Sequence, residues 1–242
     1  MGVLDGRVAL VTGATGGIGR GIVDALVDAG AQVVAAARRL FEPWRAGVVA
    51  AVADLRDPTA GAVLVDAALL AFGGLDVLVH GAGVQDTGPL ADATDEDWQA
   101  MLDVNVLAAQ RLLRAALPAF EPRGSGAVVY VASIEASTPA PDHGVYAVSK
   151  AALVMHAKAA ALELGPRGVR VNCVSPGLVA RPGIEDEWPE GVARYRAAAP
   201  LGRLGTPADV GAACVFLCSP DAAWITGVDL TVDGGVSVHP HW

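Results

Sequence analysis

Cysteine, lysine and aromatic side chains are all scarce in this chain, and no apolar stretch runs unbroken for long. Three cysteines, Cys173, Cys214 and Cys218, cannot all pair within one chain, so no disulfide framework is expected and a reducing compartment fits. Cys214 and Cys218 stand one helical turn apart, a spacing that suits small apolar fillers better than metal ligands. No metal site is expected. No apolar run approaches the ~20 residues that span a bilayer. The N-terminal "MGVLDGRVALV" lacks the basic-then-apolar pattern of a secretory signal, so a cytoplasmic location is expected. A formal charge of −9 argues against nucleic acid or an anionic membrane as partner. Of 17 basic residues only Lys150 and Lys158 are lysines. In so arginine-rich a chain, a lysine carries more information than an arginine.

What the chain does have is apolar residues, 53% of 242, with no linker-like segment to divide them, so residues 1–242 read as one domain. Short Val- and Ala-rich runs recur: "RVALVT", "QVVAAA", "VVAAVA", "DVLVHG", "AVVYVA", "VRVNCV" and "DLTVDG". They are nearly continuous rather than alternating, as in parallel strands covered on both faces. Helical spacing appears between them, as at Ile18, Ile22, Leu26 and Ala29, and Thr94 before "DEDWQAML" reads as a helix N-cap. The alternation predicts an α/β fold, a doubly wound, Rossmann-like parallel sheet. Only "LFEPWRAG" separates Arg39 from Val48, too short and proline-broken for a full helix, so the second crossover is truncated.

"LVTGATGGIGRG" follows the first strand and opens a helix, where backbone N–H groups and the helix dipole favour a phosphate. A tight turn without ligand is the alternative. The spacing is Gly13-x-x-x-Gly17-x-Gly19 rather than Gly-x-Gly-x-x-Gly. At the end of the second strand stand Ala37, Arg38 and Arg39, with no carboxylate for the ribose hydroxyl of NAD. Two guanidiniums favour the extra phosphate of NADP(H); NAD(H) remains possible if both arginines are merely solvated. "YAVSK" sets Tyr146 and Lys150 four apart, on one face if helical. A nearby ammonium would lower the tyrosine pKa from about 10 toward the working pH. Ser133 stands at the end of the strand "AVVYVAS", where open α/β sheets place their sites.

Together Thr12-Gly13-x-x-x-Gly17-x-Gly19, Ser133 and Tyr146-x-x-x-Lys150 resemble the short-chain dehydrogenase/reductase family, single-domain type, over essentially the whole chain. The resemblance implies a cofactor turn from Gly13 through Thr15, Gly16, Gly17 and Ile18 to Gly19. It implies adenine contacts at Asp54 and Leu55, and a cofactor-lining loop at Ala82 and Gly83. His80 replaces the family's usual asparagine and reads as a buried structural residue. By the same resemblance Tyr146 exchanges the proton, Ser133 fixes the substrate oxygen, and Lys150 tunes Tyr146 and holds the nicotinamide ribose. Asn105 either relays protons or shapes its helix. Pro176, Gly177 and Val179 flank the nicotinamide. Arg181, where threonine is common, faces an anion or solvent.

A lid over residues 182–200 is implied, with Trp188 and Tyr195 as apolar walls. Glu135, His143, Gln85 and Leu178 are further pocket candidates, with His143 either lining the pocket or facing solvent. His239, His241 and Trp242 suit packing against a neighbouring subunit better than metal binding. The implied activity is NADP(H)-dependent reversible hydride transfer between a nicotinamide and a secondary alcohol or ketone, in a homotetramer acting on a small molecule. The alternatives are the same chemistry with NAD(H), or a non-catalytic dinucleotide-binding regulator.

Overall fold

The computed structural model describes residues 2–238, and these form seven parallel strands with helices on both faces. The strands are β1 (Val8–Thr12), β2 (Gln32–Ala37), β3 (Val48–Val52), β4 (Val77–His80), β5 (Gly126–Val131), β6 (Val169–Pro176) and β7 (Asp229–Val232). Their order in the sheet is β3-β2-β1-β4-β5-β6-β7. Successive residues of a strand face opposite sides, and here both sides are apolar. Leu10, Val34, Leu78 and Val128 join one core with α2 (Ala60–Phe72), α4 (Ala108–Phe120) and α5 (Gly144–Leu164). Ala9, Val11, Val33, Val79 and Val129 join the other, with α1 (Gly17–Asp28) and α8 (Pro207–Cys218). Two covered faces explain the unbroken hydrophobic runs. α1 and α8 approach to backbone contact, because a Cβ on Gly211 would sit 2.6 Å from the Gly21 carbonyl oxygen.

The second crossover is a loop without a helix, as its length and Pro43 require. Thr94 caps α3 (Asp95–Leu102) in a reciprocal box with Asp97. α3 runs into α4 through a π-helical turn, Asp103–Leu107, that carries Asn105. The three cysteines are free and buried, with burial pushing each thiol pKa up. One feature departs from the sequence reading: α5 and its final turn, Gly144–Arg167, are long and apolar enough to cross a membrane by length and mean hydropathy. Ser149, Lys150, His156 and Lys158 interrupt the apolar run without interrupting the helix. Its buried residues, among them Leu153, Ala157, Ala160 and Ala161, pack into the core on the α2 and α4 face.

Candidate active site

All seven strands run the same way, so the loops after β1, β2, β4, β5 and β6 gather at one edge. β1 and β4 are neighbours from which the chain winds in opposite directions, the switch point where such sheets open a crevice. At that point Gly13 has φ +70°, and a Cβ there would stand 2.7 Å from the Ala82 nitrogen. A Cβ on Gly19 would lie 2.1 Å from the Gly13 carbonyl oxygen. These two glycines are required by the protein's own packing. Gly17 is different, because a Cβ there meets nothing within 4 Å. Gly16 caps α1 without a side-chain acceptor, and the first turn holds no acid. Thr15, Gly16 and Gly17 are exposed, and Ile18 is half-buried beside them. The outward N–H groups of this helix start are therefore free to meet an anion such as a pyrophosphate.

Further along the edge, Arg38 and Arg39 are exposed beyond the last residue of β2. Among the described residues neither guanidinium is paired with a carboxylate, whereas Arg45 and Arg56 are. Asp54 is engaged: Arg56 donates from Nε (3.0 Å) and Nη2 (2.5 Å) to its two oxygens. Those bonds, with a smaller field from Arg38, hold the Asp54 carboxyl down at about 2. An adenine amino group would have to share that carboxylate with Arg56. Leu55 beside it is buried.

His80 is fully buried at the end of β4, opposite Thr12 of β1. The Ala82 N–H donates to Thr12 Oγ1 at 3.4 Å, and Thr12 Oγ1 meets His80 Nδ1 at 2.9 Å. Burial, then the Lys150 charge, push the imidazole down to about 3, so His80 is neutral and ties two strands together. Ala82 is half-buried and Gly83 exposed above it.

Tyr146 and Lys150 lie on one face of the first turns of α5, with the Lys150 Nζ 5.6 Å from the phenol ring centroid. Lys150 is buried and donates to the Val131 carbonyl at 2.8 Å. Burial pushes its amine down to about 8. The Tyr146 phenol moves the other way, pushed up to about 12 by burial, with Ser133 pulling it down and the Glu135 carboxylate raising it further. In the folded chain Ser133 is the group that opposes the burial of the phenol. Ser133 itself is buried and accepts the Glu135 N–H at 3.1 Å.

Asn105 is buried with every polar atom used. Its Oδ1 accepts the Val84 N–H (2.9 Å), while Nδ2 donates to the Val84 carbonyl (3.0 Å) and Ser149 Oγ (2.9 Å). It clamps the π turn to the loop after β4 and to α5, the helix-shaping alternative. It also borders Lys150, since a Cβ on Gly83 would lie 3.3 Å from both Asn105 Oδ1 and Lys150 Nζ. Glu135 and His143 face each other, with Glu135 Oε2 2.9 Å from His143 Nδ1 and Gln85 Nε2 at 3.3 Å from the same nitrogen.

At the β6 end, Pro176 is the last strand residue and the Gly177 N–H donates to the Val232 carbonyl. Val179 bridges to Gly205. Residues 182–200 hold two helices, α6 (Ile184–Glu187) and α7 (Pro189–Ala198). Tyr195 packs with Leu178, Ile184 and Val192, and its hydroxyl donates to the Asp233 carbonyl at 2.8 Å. It fastens this segment to the body instead of forming a free wall. Trp188 is half-exposed, folded over Gly191 with Arg194 6.0 Å from its ring. Arg181 is paired with Glu187 across the surface. His239, His241 and Trp242 lie outside the described residues.

Sequence reasoning passed over Ser149, which accepts from Asn105 and donates to the Tyr146 carbonyl at 2.7 Å. A small polar residue beside Lys150 in an otherwise apolar helix was the available signal. Thr12, which joins the glycine turn to His80, gave none beyond its place before Gly13.

The comparisons agree with this geometry. A family model described as Enoyl-(Acyl carrier protein) reductase matches residues 13–237. Dehydrogenase/reductase SDR family member 4 of Homo sapiens is 39% identical over 247 residues, covering 96% of this chain and 88% of that protein. The 2,5-dichloro-2,5-cyclohexadiene-1,4-diol dehydrogenase LinX of Sphingobium indicum is 35% identical, with 97% and 98% covered. A crystal structure from Sinorhizobium meliloti 1021, provisionally named a short-chain alcohol dehydrogenase, superposes with a TM-score of 0.89 at 33% identity, covering 98% of each chain. The structure of ElxO with NADP bound gives a TM-score of 0.89 at 25% identity, with 96% and 99% covered. The fold, the gathered Ser133, Tyr146 and Lys150, and these likenesses lead to one conclusion: the chain is an oxidoreductase of the short-chain dehydrogenase/reductase family.

Proposed function

We propose that the protein is an NADP(H)-dependent dehydrogenase/ketoreductase that interconverts a secondary alcohol and a ketone. The observation that carries this reading is the meeting of the Tyr146 phenol, the Ser133 hydroxyl and the buried Lys150 ammonium beside an uncapped glycine turn. The turn from Gly13 to Gly19 would hold the pyrophosphate and Arg38 and Arg39 the ribose phosphate. Ala82, Gly83, Lys150, Pro176, Gly177 and Val179 would line the nicotinamide end. A bound nicotinamide supplies or accepts the hydride. ElxO, solved with NADP bound, and LinX, named as a diol dehydrogenase, support the cofactor and the alcohol class.

In the reducing direction Tyr146 gives its proton to the substrate oxygen as the carbonyl becomes a carbinol. The buried phenol carries its proton at neutrality, the form this step needs. Ser133 donates a hydrogen bond to the same oxygen, and Lys150 stabilises the phenolate left behind. Oxidation runs these proton movements backward. The segment over residues 182–200 acts as a lid, hinged by Tyr195 at its fixed end. The domain works as a single unit, and homotetramer assembly at a cytoplasmic location is part of the same reading. The exposed apolar residues Val148, Met155 and Leu162 on α5 support assembly.

The test is a panel of secondary alcohols and ketones assayed with NADP(H) and NAD(H) at the reduced-nicotinamide absorbance. Turnover favouring NADP(H) is expected. A preference for NAD(H) would replace the cofactor assignment, and stoichiometric cofactor binding without turnover would make the protein a dinucleotide-binding regulator.

A further inference from the structure

We propose that Glu135 and His143 form an acceptor for a second hydroxyl of the substrate, so that the pocket selects vicinal diols and α-hydroxy ketones over mono-alcohols and simple ketones. The inference rests on the reading of Tyr146 and Ser133 as the pair that holds the reacting oxygen.

Both residues are tied to the pair that holds that oxygen. Glu135 follows Ser133 by two residues, and its N–H donates to the Ser133 hydroxyl. His143 is the N-cap residue of α5 and precedes Tyr146 by three. The Glu135 carboxylate lies close enough to act on the phenol. Its Oε2 is 2.9 Å from His143 Nδ1, and the side chains are 17% and 26% exposed. They are neither sealed in the core nor free in solvent.

An ionised carboxylate can only accept, so His143 Nδ1 carries the hydrogen. The Gln85 amide nitrogen lies 3.3 Å from the same Nδ1. In the tautomer whose Nδ1–H points at Glu135, Nε2 carries the ring's lone pair. Among the described residues that atom has no protein partner and is not enclosed. A carboxylate that fixes the imidazole tautomer in this way makes the far nitrogen a better-defined acceptor. Such an acceptor takes an O–H and rejects an ether. A hydroxyl on the carbon next to the reacting one bridges from the Tyr146–Ser133 pair to His143. The fixed charge of Glu135 also works against a substrate carboxylate at that position.

The experiment compares cyclohexane-1,2-diol, cyclohexanol and 2-methoxycyclohexanol on the full chain with NADP⁺. The diol is expected to exceed both others in kcat/KM by about tenfold or more, the effect of one directed hydrogen bond, with the difference in KM. The diol-to-ether ratio should fall toward one in His143→Phe and recover in part in His143→Gln, whose amide oxygen can still accept. A second readout is calorimetric binding of diol and ether to the NADP⁺ complex of Tyr146→Phe, with and without His143→Phe. An equal response to diol and ether, or a ratio unchanged by His143→Phe, overturns the proposal. Absence of turnover with every alcohol would count against the dehydrogenase reading instead, while the calorimetric ratio still decides the hydroxyl acceptor.

Discussion

Lys150 stands in the folded chain at a cost that can be measured by replacing it with methionine, which keeps the apolar stem and drops the charge. Burial lowers its amine from 10.5 to about 8, a difference equivalent to about 3 kcal/mol against folding while the group is charged in both states. The folded pKa lies below the unfolded one. Below about pH 8 both states hold the proton and the whole cost is present; as pH rises toward 10.5 the folded protein releases its proton first and the cost fades. Wild type should therefore gain on Lys150→Met by roughly 2.5 kcal/mol between about pH 7 and about pH 10. Near neutrality the variant loses the hydrogen bond to the Val131 carbonyl, worth about 1–3 kcal/mol for a charged donor. It should thus be no less stable than wild type, or up to about 2 kcal/mol more so, while being inactive. The assay is urea unfolding of both proteins across this pH range. Titration of buried cysteine and tyrosine cancels in the difference. A difference that stays flat with pH would refute the argument that the lysine is held against its solvation.

Gly13→Ala should cost more than about 1 kcal/mol, because φ is +70° and the new methyl meets the Ala82 backbone; thermal unfolding reads it directly. Gly17→Ala should change stability by less than about 0.5 kcal/mol, since its Cβ meets no atom, yet weaken cofactor binding in a titration. Arg38→Ala combined with Arg39→Ala should lower the NADP(H)-to-NAD(H) ratio of kcat/KM by about 10–100-fold. Thr206 caps α8 in a reciprocal box with Asp209, and Thr206→Ala should cost about 1 kcal/mol in chemical denaturation.

The strands were readable because burial on both faces demands continuous apolar runs, and Pro43 made the missing crossover helix equally plain. The glycine turn was readable in outline; which glycines serve the protein and which leave room for a ligand needed the positions of Ala82 and Gly13. Tyr146 and Lys150 could be paired from their spacing, but not the direction of the phenol's shift. That direction depends on how deeply α5 sits and on Glu135, which reaches Tyr146 through tertiary packing. The Glu135–His143 pair is invisible in sequence for the same reason, since it closes a loop of eight residues with no periodic signal. Tyr195 was read as a wall because an aromatic in a lid suggests one. Its bond to the Asp233 carbonyl, 38 residues away, makes it a fastener.

Turnover by Tyr146→Phe on a productive alcohol, set beside its affinity for NADP(H), bears most directly on the proposed chemistry. The account predicts a fall in kcat of about 10²–10⁴-fold with cofactor affinity retained. Near-wild-type turnover by the phenylalanine variant would contradict it.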